Sequence, residues 1–415
     1  MWFKRFLRHL SELSSLRLVM LRYAVNAIGV VEIALLPALL APALYADMET
    51  TKQMLLFAPV LLVGAATGYL HSLFAGGRDL QGALLLGAAL VGIAGGVGFA
   101  LVSDSVLAGC AVFLMVMAAA VEKILVSVNR LLLGSLYKAL VSVSLVCAVL
   151  AIGNSSMLSA TNLYATAVVV GCLAWLGATF WVGALRLPRL NELGRVFADF
   201  RELVHNGFAL NAQTYVILLY FIVDRMAIAT LYPDRNAEYA IAYSVSQVVF
   251  IFVNTIAFSM QYVAGKNAAG MTAAQYRQMR RTVLTLCAII FLASIPCVYA
   301  FALYVPQYGE FINSFLLIAS LAGIFYALSA ISLVGFYLDL SAFALKLMCI
   351  ALGFNVLTLF LSSMLDLGYY ANLTRTGAIL AACAWVYDRK ILVTLERGAM
   401  PALAPIPEPS TAAGR

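Results

Sequence analysis

"FALNAQTYVILLYFIVDRMAIATLYPD", residues 208–234, is long and apolar enough to cross a bilayer, yet it holds two adjacent charges, Asp224 and Arg225. A membrane helix needs about 20 mostly apolar residues. The rest of the chain has the same character: 64% of its 415 residues are hydrophobic, 11% are charged, and the mean hydropathy is +0.97. Soluble globular domains do not reach such values. The alternating segments of about ten residues that build a β-barrel are absent. The composition therefore predicts an all-α integral membrane protein.

Twelve windows satisfy the length rule, near residues 23–45, 53–75, 82–102, 106–128, 131–152, 160–184, 207–231, 238–262, 282–304, 311–336, 342–364 and 369–387. The connections between them are too short to house a soluble domain. "MWFKRFLRHLSELSSLR" at the N-terminus resembles the basic region of a secretory signal, and "APALYA" ending at Ala46 has small residues fit for cleavage. The apolar stretch between is too long for a signal core and is interrupted by Asn26 and Glu32, so it is read as an uncleaved first span. Trp2, Phe3, Phe6, Leu7, Leu10 and Leu13 recur at helical spacing opposite Lys4, Arg5 and Arg8, the pattern of a short helix lying on an anionic membrane face.

Basic residues stay on the cytoplasmic side. With the N-terminus inside, nineteen of the 26 lysines and arginines fall in cytoplasmic segments, and only Lys52 and Arg235 fall outside. Both termini are accordingly expected in the cytoplasm of a bacterial inner membrane. The net charge of +7 needs no nucleic-acid partner to explain it. The seven cysteines lie within spans at spacings that fit neither a metal nor a disulfide framework, and read as small packing residues.

The sequence appears twice. "YAVNA" at 23–27 opens span 1 and "FALNA" at 208–212 opens span 7, while "LYAD" at 44–47 and "LYPD" at 231–234 stand at the expected ends of the same two spans. Six spans separate the copies, so the repeat is parallel, about an axis along the membrane normal. The expected domains are a cytoplasmic amphipathic segment (1–22), an N-lobe of spans 1–6 (23–185), an amphipathic cytoplasmic linker (186–206), a C-lobe of spans 7–12 (207–387) and a cytoplasmic, partly disordered tail (388–415).

Charges at bilayer depth are costly and ordinarily face a bundle interior or a watery cavity. Arg22, His71, Lys346 and Arg375 each lie near an interface that a long side chain can reach. Lys123 and Lys138 lie deeper, at similar depth on consecutive spans, and either share a polar cavity or are partly neutralised by Glu122. Glu32 sits near the middle of span 1. Asp224 and Arg225 point about 100° apart on span 7 and are badly placed to pair with each other, so at least one needs a partner elsewhere. Helical spacing groups Arg225 with Asn211. On span 8, Tyr243, Gln247, Asn254 and Gln261 form one polar stripe, which points to a hydrated central passage more than to a hydrogen-bonded helix seam.

The glycines of "GIAGGVG", 92–98, lie inside a span without the strand and turn of a phosphate-binding loop, so close helix packing explains them. No catalytic constellation, nucleotide-binding loop, metal-ligand set or cofactor motif is visible.

"VDRMAIATL" followed by "AEYAIAYSVSQVV" resembles spans 7 and 8 of bacterial polysaccharide flippases of the O-antigen and exopolysaccharide type, members of the multidrug/oligosaccharidyl-lipid/polysaccharide exporter superfamily. Length, span number and the two-lobe repeat agree along the whole chain. The resemblance implies a V-shaped, alternating-access transporter of twelve transmembrane helices in two parallel six-helix lobes. It further implies a cargo of oligosaccharide on undecaprenyl pyrophosphate, driven by H+ or Na+, with polysaccharide polymerase or export machinery as a partner beside the membrane lipids. On that reading Arg225, Lys123 and Lys138 line a cationic cavity with Arg22 and Lys346 at its mouth, and Tyr243, Gln247, Asn254, Gln261 and Asn211 contact the substrate. Asp224 and Glu32 are the expected ion-coupling carboxylates. The first lobe departs from the pattern: Pro37 to Leu40 stand opposite the Asp-Arg pair. The rivals are a drug or metabolite antiporter on the same fold and, further off, a polysaccharide polymerase or acyltransferase.

Overall fold

The computed structural model describes residues 13–76, 78–128, 130–152, 159–182, 195–266, 271–329, 334–335, 338 and 340–397. Its helices, numbered by span, are α1 (Leu13–Leu39), α2a (Pro42–Leu56), α2b (Ala65–Gly76), α3 (Gln81–Ser103), α4 (Val106–Ser127), α5 (Leu131–Ile152), α6 (Ala160–Trp181), α7 (Val196–Leu231), α8 (Asn236–Lys266), α9 (Ala273–Tyr304), α10 (Phe311–Ser329), α11 (Ser341–Met364) and α12 (Tyr369–Glu396).

Local chemistry sets several of these boundaries. Ser105 and Ser159 cap α4 and α6 by accepting from the amides of Ala108 and Asn162, and Thr272 forms a capping box with Gln275 at α9. Pro42 stands in the first turn of α2a, where its missing N–H costs nothing. That proline relocates an expected boundary: span 1 ends at Leu39, so Leu44 to Asp47 belong to the next helix. Of the two repeated motifs, only the Tyr23 and Phe208 pair therefore occupies equivalent helices.

Three further expectations change. Span 2 is broken: α2a and α2b meet at 47° across a 3-10 turn, with Val63 and Gly64 in left-handed backbone at φ +49° and +90°. Residues 196–206 form no separate surface helix but are the first turns of α7, 36 residues long. The last helix runs to Glu396, beyond the expected end at 387. The N-terminal amphipathic segment up to residue 12, the linker from 183 to 194 and the tail from 398 lie outside the described residues.

The lobes repeat each other in packing as well as order. In the N-lobe α1 packs on α5, α4 on α6 and α3 on α4; in the C-lobe α7 packs on α11, α10 on α12 and α9 on α10. The halves meet through α1 and α2a against α8, and most extensively through α2b, with α3 and α2a, against α7. Exchanging each helix for its counterpart six spans away turns the α1–α8 contact into the α7–α2 contact, as a two-fold relation demands.

The apolar residues are distributed as lipid requires. Ile350, Phe354, Leu357, Phe360 and Met364 make an exposed stripe along α11, and Ile93, Val97 and Leu101 make one along α3. Such stripes on a water-soluble protein would mark an interface, whereas here they face hydrocarbon. Inside, close packing relies on small residues: Gly96 and Gly109 bring α3 and α4 into backbone contact.

Candidate functional site: the cavity between the lobes

Asp224 and Arg225 leave α7 toward different lobes, as their angular separation demands. Arg225, 3% exposed, crosses to α2a. Its Nη2 donates to the Ala46 carbonyl at 3.1 Å and its Nε to Thr50 Oγ1 at 3.3 Å, with the guanidinium 5.0 Å from the Tyr239 ring centroid. Asp224, 4% exposed, turns into the C-lobe. It accepts from Tyr239 at 3.0 Å and Thr376 at 2.6 Å, and Arg375 stands 4.0 Å away. Arg375 in turn donates to the Asn355 carbonyl at 3.0 Å and Thr358 at 3.3 Å rather than reaching for the membrane surface. Asn355 is fully buried and neither atom of its side-chain amide has a partner.

A second charged group lies opposite, in the N-lobe. Lys52 Nζ contacts Glu32 at 2.6 Å and Glu49 at 3.1 Å. The sequence placed Lys52 in an external connection, because span 2 was read from residue 53 whereas its helix begins at Pro42. The corrected boundary puts it near the inner end of α2a.

Below these contacts lies a cavity of about 370 Å³, within the usual range for ligand pockets. The N-lobe contributes Glu49, Lys52, Gln53 and Phe57, and the C-lobe contributes Phe221, Tyr243, Ser244, Gln247 and Tyr326. The break in span 2 begins at Phe57 and so ends helix α2a at the cavity wall. Above the cavity, Gln307 donates to the Pro37 carbonyl at 2.9 Å, and Tyr45 packs edge-on against Tyr308. The lobes are thus joined at the end that carries the α1–α2 and α7–α8 connections, the outer end under the expected orientation.

The sequence-derived residues divide by this geometry. Tyr243 and Gln247 line the cavity, and Glu32 stands behind Lys52. Arg225 and Asp224 do not line the cavity and are held by the protein groups named above. Asn211 donates to the Gly207 carbonyl of its own helix. Lys138 is exposed beside the Tyr137 ring, Lys346 is exposed on α11, and half-buried Lys123 lies on α4. None of these three lysines lines this cavity, whose one described cation is Lys52. The side chains of Arg22, Asn254 and Gln261 lie outside the described residues. Glu49, Lys52, Gln53 and Tyr326 went unrecognised in the sequence. A Glu–Lys pair three residues apart inside an apolar helix was the available signal.

Solved structures with the same fold are transporters. An inward-facing multidrug resistance MATE family transporter of the MOP superfamily matches with a TM-score of 0.70 and 13% identity, over 92% of this chain and 99% of that one. An outward-facing structure of such a transporter matches at 0.58 and 11%, over 92% and 93%. A MOP superfamily transporter from Pyrococcus furiosus, described as having a binding pocket of reversed polarity and a different function, matches at 0.51 and 12%, over 91% and 94%. No protein-family model and no curated protein matches the sequence. The chain therefore shares the two-lobe helical fold of these transporters.

Proposed function

We propose that the chain is a transporter that moves an oligosaccharide, carried on undecaprenyl pyrophosphate, from the cytoplasmic to the outer leaflet of the bacterial inner membrane. The lining of the cavity carries this reading. Phe57, Phe221, Tyr243 and Tyr326 offer ring faces, while Gln53 and Gln247 offer amides. Aromatic faces with a few placed amides suit sugar rings, which present C–H faces and rims of hydroxyls. Lys52 is the cavity group able to meet an acidic sugar or diphosphate. Coupling to H+ or Na+ is assigned to the buried carboxylates Asp224 and Glu32, and both termini are placed in the cytoplasm. Deleting the gene from its host is expected to remove a surface polysaccharide and leave lipid-linked repeat units inside. Restoring the gene with Gln247→Ala and Phe221→Ala together is expected to lower surface glycan several-fold at unchanged membrane level.

One observation favours the drug antiporter instead: Glu49 on the N-lobe wall and Glu32 just behind it share one ammonium, Lys52, and the MATE transporters sharing the fold are described as multidrug resistance proteins. A cavity biased toward negative charge suits an organic cation. Resistance to cationic drugs on expression, with unchanged surface glycan, would decide for that reading.

A further inference from the structure

A row of aromatic rings joins the cavity wall to the contact that holds the lobes together. At its centre is Tyr239, in the first turn of α8 and 2% exposed. Its hydroxyl donates to Asp224 at 3.0 Å, and its ring lies 5.0 Å from the Arg225 guanidinium. The ring of Tyr243, one turn further along α8, stacks on it with centroids 5.9 Å apart and planes at 27°. Tyr243 in turn meets Phe221 at 6.3 Å and 60°, and both of these rings line the cavity. Arg225 crosses to Ala46 and Thr50 of the N-lobe. From the cavity surface to the cross-lobe bond the path is therefore Tyr243, Tyr239, Arg225, each packed on the next.

The wall has slack behind it. Phe221 and Tyr243 also line a second, smaller crevice of about 30 Å³ on their far side, bounded by Asp224, Tyr239 and Thr376. That is space on the scale of a water molecule, enough for the Tyr243 ring to shift when something presses on its cavity face. Asp224 is itself held by Thr376 at 2.6 Å, so its bond to the Tyr239 hydroxyl fixes where that ring stands.

We propose that Tyr239 is the positioning residue that couples the cavity wall to the seam between the lobes. Its ring face steadies the Arg225 guanidinium in the orientation that reaches Ala46 and Thr50. A ligand stacked on Tyr243 pushes that ring toward the crevice, Tyr239 tilts with it, and Arg225 loses the face that orients it. Stacking and cation–π contacts suit this duty because both depend on the angle of the ring. The coupling is reciprocal, so parting of the lobes reshapes the ring face that the ligand meets. The inference uses the cavity and the seam and is independent of which cargo is carried.

A triple-mutant cycle read at the outer end tests it. In a chain whose seven cysteines are replaced, Gln53→Cys places a thiol in the cavity. Its rate of labelling by a membrane-impermeant maleimide added from outside reports opening, and a permeant maleimide corrects for the reactivity of the thiol itself. Tyr243→Ala and Arg225→Gln are each expected to label faster than the parent. Their double variant is expected to label about fivefold slower than the product of the two effects, because both release one contact. With Tyr239→Leu the same pair is expected to become additive, whereas Tyr239→Phe, which keeps the ring, is expected to keep the non-additivity. Additive Tyr243 and Arg225 effects in the parent would overturn the proposal without any change at Tyr239, whether or not the leucine variant folds. Non-additivity that survives Tyr239→Leu would overturn it too, and would mean that Arg225 acts on Tyr243 through its charge alone. So would a phenylalanine variant that behaves as the leucine one does, since the hydroxyl and not the ring would then be the link. Surface glycan plays no part in this assay, so its outcome and that of the cargo assignment are separable.

Discussion

At the scale of single residues, the Asp-Arg pair shows how far a sequence reading reaches in a membrane. Depth and angular separation on a helix were enough to say that Asp224 and Arg225 cannot satisfy each other. They were not enough to say where each finds its partners, because all of these but Tyr239, 15 positions on, come from helices 152 to 179 positions away in the chain. Lys52 was misplaced for a different reason: span 2 was started at 53 rather than 42, an error of eleven residues that moved it from a helix to a loop. Asp224 now supports a stability expectation. It accepts two buried hydrogen bonds and lies beside Arg375, so Asp224→Ala removes both acceptors and leaves a half-buried guanidinium without its nearest carboxylate. Breaking a buried pair from one side costs about 3–5 kcal/mol. Asp224→Asn keeps one oxygen acceptor and the shape, and is expected to lose less. A thermal melt of the detergent-purified variants should rank them wild type, Asn, Ala. An alanine variant as stable as wild type would show that the Tyr239 and Thr376 bonds carry no net energy.

At the scale of elements, hydropathy located nearly every helix, since lipid imposes the length and the apolar content directly. What it could not register is a helix interrupted within one apolar run, as at Val63 and Gly64, or a helix that continues past its apolar run, as α7 does. Those features depend on contacts. The first turns of α7 are held against α2b and α3 by backbone proximity at Gly64, Gly68 and Gly207, and by Arg78 reaching Glu202 at 2.7 Å and Asp199 at 3.4 Å. A Cβ added to Gly207 would lie 1.9 Å from the Gly64 carbonyl oxygen, and one added to Gly68 would lie 1.8 Å from that of Leu203. Neither obstacle is a flexible side chain, so the helices must part. Gly207→Ala is expected to destabilise by about 1–3 kcal/mol, as overpacking does. Gly98 has nothing within 4 Å of such a Cβ, and Gly98→Ala is expected to stabilise α3 by up to about 1 kcal/mol through helix propensity. Melting temperatures of the two variants should move in opposite directions. A fall in both would mean that Gly98 packs against something other than lipid.

At the scale of the whole molecule, the two-fold relation between lobes was partly visible as a repeated motif in α1 and α7, but its consequence was not. The seam between the lobes is shared by α1, α2a, α2b, α7 and α8, and one continuous apolar core runs from α1 and α2a into α8 and α10. Under the proposed function this seam is the part that must break and re-form in every cycle. Its upper contacts include the polar ones of Arg225 to Ala46 and of Gln307 to the Pro37 carbonyl, beside an apolar part in which Tyr308 packs on Tyr45. Polar contacts to backbone carbonyls suit that duty, since each group can exchange its partner for water on opening at a net cost of about 0.5–1.5 kcal/mol per bond. Fixing this end should therefore stop transport while leaving both lobes folded. With cysteines at positions 37 and 307 in a cysteine-free background, a short thiol-cleavable crosslinker is expected to join the lobes, abolish export of the cargo, and restore it after reduction. Each single-cysteine variant treated the same way should keep its export. Undiminished export by a quantitatively crosslinked protein would mean that the outer end does not open at this seam, and the cargo would have to leave between other helices.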